Sequence, residues 1–88
     1  MLIHIGGDRY VKSGDIICVL SAAAVSGSSP AAGFIGSLRG RGAVKGETDA
    51  TASYIITCVN GDTAAAASDI SVRTLEKRCG LYSNIGRK

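Results

Sequence analysis

The segment Leu38-Arg39-Gly40-Arg41-Gly42, with Lys45 shortly after it, concentrates the side chains of this chain that are best suited to binding. Two guanidinium groups separated and followed by glycine stay exposed and leave the backbone free to approach a phosphate chain. The same residues have a second physical reading. Cations are favourable at a helix C-terminus through the macrodipole, and they keep an otherwise apolar helix soluble. Reaction chemistry has less to draw on. His4 is the single histidine, and within a strand pattern it reads as a hydrogen-bonded structural residue rather than a general base. No Ser/His/Asp or Cys/His arrangement is legible. Gly6-Gly7 fits neither GxxxxGK[ST] nor GxGxxG, so a tight turn accounts for it. Asp8 and Asp15 flank turns, where carboxylates commonly bond backbone N–H groups. No catalytic residue, cofactor or small-molecule substrate is expected.

Cys18, Cys58 and Cys79 are odd in number, far apart and without a CxxC pair, which argues against both a disulfide framework and a zinc site. Each sits in an apolar stretch and reads as a reduced core residue, so no metal is expected. The stretch Ile16 to Val25 has a signal-like look, but Asp15 heads it and Leu2-Ile3 already precedes it. At about ten residues it is too short to cross a bilayer. The expectation is a cytoplasmic chain with no membrane partner.

The elements that must position these residues follow from periodicity and turn chemistry. Met1 to Ile5, the Gly6-Gly7-Asp8 turn and Tyr10-Val11 predict a hairpin. Ile16-Ile17-Cys18-Val19-Leu20 is a short β-branched run, read as a central strand buried on both faces. Residues 21–28 read as a small-residue connection. From Ser29-Pro30 the period changes: Ala31, Phe34, Ile35 and Leu38 fall on one helical face, with Ser29 as N-cap, Pro30 at N1 and Gly40 or Gly42 at the left-handed stop. Gly33 and Gly36 lower the propensity of this helix by about 1 kcal/mol each relative to Ala, so packing must hold it.

Residues 43–51 read as a polar loop, and Tyr54 to Val59 as the strongest strand. Asn60-Gly61 is a type I′ hairpin signal, returning through Asp62 to Ala67. Ser71 then caps a last helix that buries Val72, Leu75 and Cys79 and stops at Gly80, with Arg73 and Lys77 on its opposite face. The predicted fold class is α+β, a small antiparallel sheet of two hairpins plus the buried central strand, with two short helices.

The chain has 88 residues, room for one domain, assigned to residues 1–80 with residues 81–88 as a basic tail. Aromatics are 5% and glycines number 12, so the 45% apolar fraction is carried by Ala, Val, Ile and Leu and the core is thin. Small domains of this kind commonly take missing buried surface from partner subunits, which favours a homo-oligomer. The net charge of +3 tolerates an anionic partner without demanding one.

Met1-Leu2-Ile3-His4-Ile5-Gly6-Gly7-Asp8, followed by Val11 and Asp15-Ile16, resembles the opening of the extracellular matrix regulatory (RemA/RemB) family. Ser53-Tyr54-Ile55-Ile56-Thr57 and Thr74-Leu75-Glu76-Lys77-Arg78 extend the resemblance to about residue 79, closest to the RemB-like members. The resemblance implies a LytTR-like fold, assembly into rings and transcription regulation of biofilm matrix genes by DNA binding. The arginine-rich helix end of RemA-like members is similar to Arg39-Gly40-Arg41-Gly42. Asp15 stands where those members carry an arginine, and Ala50 and Thr51 lie where they carry a basic pair.

Two readings follow. The first is a non-enzymatic, ring-forming DNA-binding regulator in which Arg39, Arg41 and Lys45, with Lys12, contact phosphates and double-stranded DNA is the partner. The alternative is a protein-interaction or assembly module that forms the same ring without binding DNA.

Overall fold

The computed structural model describes residues 1–79. The strands are β1 (Leu2–Gly6), β2 (Arg9–Lys12), β3 (Ile16–Ser21), β4 (Val44–Lys45), β5 (Ser53–Val59) and β6 (Asp62–Ser68). The helices are α1 (Ala22–Val25), α2 (Pro30–Gly40) and α3 (Val72–Cys79), and a 3-10 turn spans Ser13–Asp15. β1 and β2 form a two-stranded antiparallel sheet, while the other four strands form a sheet ordered β3-β5-β6-β4. The fold is therefore α+β, as the patterning predicts. The proposed stop at Gly80 and the basic tail fall outside the described residues.

Strand β5 occupies the interior of the larger sheet because its sequence alternates large apolar residues toward both faces. Tyr54 and Ile56 join α1 and α2 in one buried cluster, with Val25, Ile35, Leu38, Ala65 and Ala67. Ile55, between them in sequence, points the other way into a second cluster with Ile3, Ile5 and Leu75. The four-stranded sheet is thus covered by α1 and α2 on one face, and by the β1–β2 hairpin and α3 on the other. Asn60 and Gly61 close the β5–β6 hairpin with φ of 53° and 84°, the positive values a type I′ turn needs. The alanines of β6 are poor strand formers, but their small size lets α2 pack close over Ala65 and Ala67.

Several expectations require correction. β3 is an edge strand, not the central one, and Ile17 is 58% exposed. A bulge between Ile16 and Cys18 inserts one extra residue opposite β5. It sends Ile16 and Val19 to the α3 side and Cys18 and Leu20 to the α2 side, leaving Ile17 outside both clusters. Residues 21–28 contain helix α1, started by the Ser21 hydroxyl accepting from Ala24 N–H at 3.0 Å. The 43–51 segment contains β4, which pairs with β6 in parallel, so the larger sheet is mixed rather than wholly antiparallel. The described residues form three helices instead of two.

Helix α2 starts as predicted, with Ser29 Oγ accepting from Ala32 N–H at 3.1 Å and Pro30 in the first turn. The same hydroxyl donates to Ala24 C=O at 2.8 Å and so joins the end of α1 to the start of α2. Ile35 and Leu38 are buried, but Phe34 remains 41% exposed on the flank of the apolar stripe. In α3, only Leu75 is fully buried, whereas Val72 and Cys79 are half-buried.

Cys18, Cys58 and Cys79 are free thiols, half-buried rather than deep in the core. Burial raises the thiol pKa of Cys18 and of Cys79, and at Cys79 the nearby Glu76 carboxylate adds to the rise. His4 is hydrogen-bonded as expected: its Nε2–H donates to Gly7 C=O at 2.7 Å, beside the Tyr10 ring. The carboxylates of Asp8 and Asp15, by contrast, accept no hydrogen bond among the described residues, so the turns they flank close without those side chains.

Candidate nucleic-acid interface

The end of α2 is a Schellman motif. Ala43 N–H donates to Leu38 C=O at 2.9 Å and Gly42 N–H to Arg39 C=O at 3.0 Å, with Gly42 at φ 71°. Of the two glycines considered, Gly42 takes the left-handed position because the 6→1 and 5→2 bonds converge there. The motif reverses the chain into β4, where Ala43 C=O accepts from Ala65 N–H at 2.9 Å and starts the pairing with β6. Arg39, Arg41 and Lys45 are consequently carried on one short path from the last turn of α2 to the edge strand of the sheet.

Within this group the three cations differ. Lys45 is exposed on β4, opposite Ala66. Arg41 is exposed, with one long hydrogen bond from its guanidinium to Thr63 C=O at 3.4 Å. Arg39 is not free as the helix-end argument expects. Its Nη2 lies 2.7 Å from Glu47 Oε2, and its Nε is 3.1 Å from both carboxylate oxygens. Tyr54 Oη donates to the same Oε2 at 2.7 Å and receives a 3.4 Å contact from Arg39 Nη2. The hydrogen bonds from Arg39 and then from Tyr54 hold the Glu47 carboxyl below its ordinary range. Burial, followed by the bond to Glu47, pushes the Tyr54 phenol up, and the Glu47 bond raises Arg39 further.

Lys12 does not join them. It ends β2 in the other sheet, opposite Leu2, and is exposed there. Arg78, on α3, is also set apart from them: it donates to His4 C=O at 2.9 Å and ties α3 to β1.

Sequence reasoning missed the role of Arg9. From β2 its guanidinium donates to Ala67 C=O in β6 and lies directly against Gly46. Gly46, at φ 80°, has no room for a Cβ beside that guanidinium. Nothing local in the sequence pairs residues 9, 46 and 67. Glu47 was missed although it is close in sequence to Arg39 and Tyr54, because the three meet only when β5 is packed beneath α2.

Arg9 and Gly46, together with Gly6, Gly7, Asp8, Thr48 and Asp69, line an open cleft of about 390 Å³. Its Arg is opposed by two carboxylates, and the guanidinium is already bonded to backbone, so the cleft presents no convergent binding set. Among the described residues, no group of three or more His, Cys, Asp or Glu side chains is placed to hold a metal ion. None of the described helices is long and apolar enough to cross a membrane. No protein-family model matches the chain, and no curated protein matches it significantly.

Proposed function

We propose that this protein is a non-enzymatic DNA-binding regulator that works as a cyclic homo-oligomer in the cytoplasm, with the α2–β4 edge facing the phosphate backbone and biofilm matrix genes among its targets. The observation that carries this reading is the Schellman turn at Gly42, around which Arg41 and Lys45 are both exposed with no acid between them in the chain. A single edge of two or three cations is a weak DNA ligand. A ring repeats that edge at fixed spacing, and effective concentration then converts marginal contacts into avidity.

The surface supports subunit contact. Leu2 at 61%, Tyr10 at 57% and Ile17 at 58% exposed are large apolar or aromatic groups on strands, and β3 is a six-residue strand at the sheet edge. Exposed strand edges and apolar patches of this kind are what assemblies cover. Lys12, beside Leu2 and Tyr10 in the hairpin, then belongs to the subunit surface or to a second, separate DNA contact. In this reading, sequence preference comes from DNA shape and deformability.

The assembly-module alternative is favoured by one specific observation, the neutralisation of Arg39 by Glu47. Light scattering combined with duplex titration at several salt concentrations separates the two. An oligomer whose DNA affinity falls with salt supports the regulator; an oligomer without measurable DNA affinity supports the assembly module, and a monomer contradicts both.

A further inference from the structure

We infer that Glu47 is an internal competitor for the phosphate site: it occupies the Arg39 guanidinium in the free protein and must yield it before Arg39 can contact a nucleic-acid phosphate. This inference rests on the phosphate-contact reading of the α2–β4 edge and adds a control element to it. The geometry resembles what a phosphate would offer. Two carboxylate oxygens meet Nε and Nη2 side by side at 2.7–3.1 Å, the fork arrangement that guanidinium groups also use for phosphate.

The carboxylate is held in place by more than Arg39. Tyr54 is only 6% exposed, fixed in the core beneath α2, and its hydroxyl anchors Glu47 Oε2 at 2.7 Å. On the N-terminal side, Gly46 lies against the Arg9 guanidinium. Arg39 meanwhile keeps its side chain 46% exposed, so a phosphate can approach it from solvent and take it over from Glu47. Among the described residues, Arg41 and Lys45 have no comparable acid. The edge therefore contains two cations ready for phosphate and a third held in reserve.

The test is Glu47→Gln, which removes the charge while keeping an oxygen for Tyr54 and for Arg39. The measurement is duplex DNA affinity of the intact oligomer against salt, with light scattering and thermal melting showing that assembly and folding are unchanged. Glu47→Gln is expected to bind about tenfold more tightly at low salt, with a steeper log K against log salt slope from the added phosphate contact. Arg39→Ala should cost little in the wild-type background and should abolish the gain in the Glu47→Gln background. Equal affinity and slope for wild type and Glu47→Gln would overturn the inference while leaving the DNA reading intact.

If no variant binds DNA, the DNA reading fails. The competition is then decided by following the Arg39 Nε–H NMR resonance during titration with inorganic tripolyphosphate. A response confined to Glu47→Gln supports the inference; the same response in wild type overturns it.

Discussion

Ser53 and Ser68 stand directly opposite each other in the β5–β6 ladder, both buried, and each hydroxyl is assigned to a backbone group outside the ladder. Ser53 Oγ donates to Ile70 C=O at 2.7 Å, and Ser68 Oγ donates to Ile5 C=O at 2.7 Å while accepting from Ile70 N–H at 3.0 Å. The pair joins the large sheet to the β1–β2 hairpin and to the entry of α3. These are the elements that cover its second face.

Ser68→Ala should therefore destabilise the fold by about 1–3 kcal/mol, because it leaves a buried carbonyl and a part-buried N–H without their partner. Ser53→Ala, which orphans one carbonyl, should cost about 1 kcal/mol. Urea unfolding of the two variants measures the difference. Equal stability to wild type for Ser68→Ala would mean that the Ser68 bonds add nothing net to the docking of the hairpin.

Gly46→Ala should lower stability by more than a surface substitution does, by about 1 kcal/mol or more, since the residue has positive φ and its Cβ would displace the Arg9 guanidinium from its bond to Ala67 C=O. Arg9→Ala combined with Gly46→Ala removes the overlap but not the φ cost. A double-mutant cycle on thermal unfolding should therefore show coupling between the two sites, and strict additivity would contradict the contact.

The folded state depresses the Glu47 pKa, so its contribution to stability is present above the unfolded value of about 4.3 and is lost as pH falls through the lower folded value. Glu47→Gln should remove that part of the acid sensitivity. Comparing unfolding midpoints across the range below pH 5 checks it. The midpoint of the variant should change less with pH, and parallel curves would show that the Arg39 and Tyr54 bonds do not favour the carboxylate.

Much of this arrangement is legible in the sequence, and the parts that are not share a physical cause. The strand Tyr54 to Val59, the Asn60-Gly61 turn, the Ser29-Pro30 helix start and the opening hairpin are encoded by neighbouring residues, through alternation, positive φ and capping. β3 misleads because an unbroken apolar run looks the same whether both faces are covered by a central position or divided by a bulge. Only pairing with β5 shows that Ile17 is the extra residue. β4 consists of two residues recruited by β6, too short to leave a pattern. At the candidate site, the positions of Arg41 and Lys45 follow from the glycine stop, but the Arg39–Glu47–Tyr54 contacts depend on β5 packing under α2. Charge counting along the chain treats Arg39 as free; tertiary structure gives it a partner.

Ile17→Lys should shift the oligomer toward smaller species without unfolding the protomer, because the side chain is already largely exposed and lies on the outer strand of the sheet. Light scattering with circular dichroism reads both quantities. An unchanged oligomer mass would place the subunit contact away from the β3 edge.

The most direct test of the phosphate-contact account is the salt dependence of duplex binding by Arg41→Ala/Lys45→Ala, compared with wild type and with Lys77→Ala on α3 as the control. The account predicts weaker binding to unrelated sequences alike and a slope of log K against log salt flatter by about 0.9 for each phosphate no longer neutralised, with folding and oligomer mass unchanged and Lys77→Ala close to wild type. Wild-type affinity and an unchanged slope in the Arg41→Ala/Lys45→Ala protein, with its oligomer intact, would contradict it.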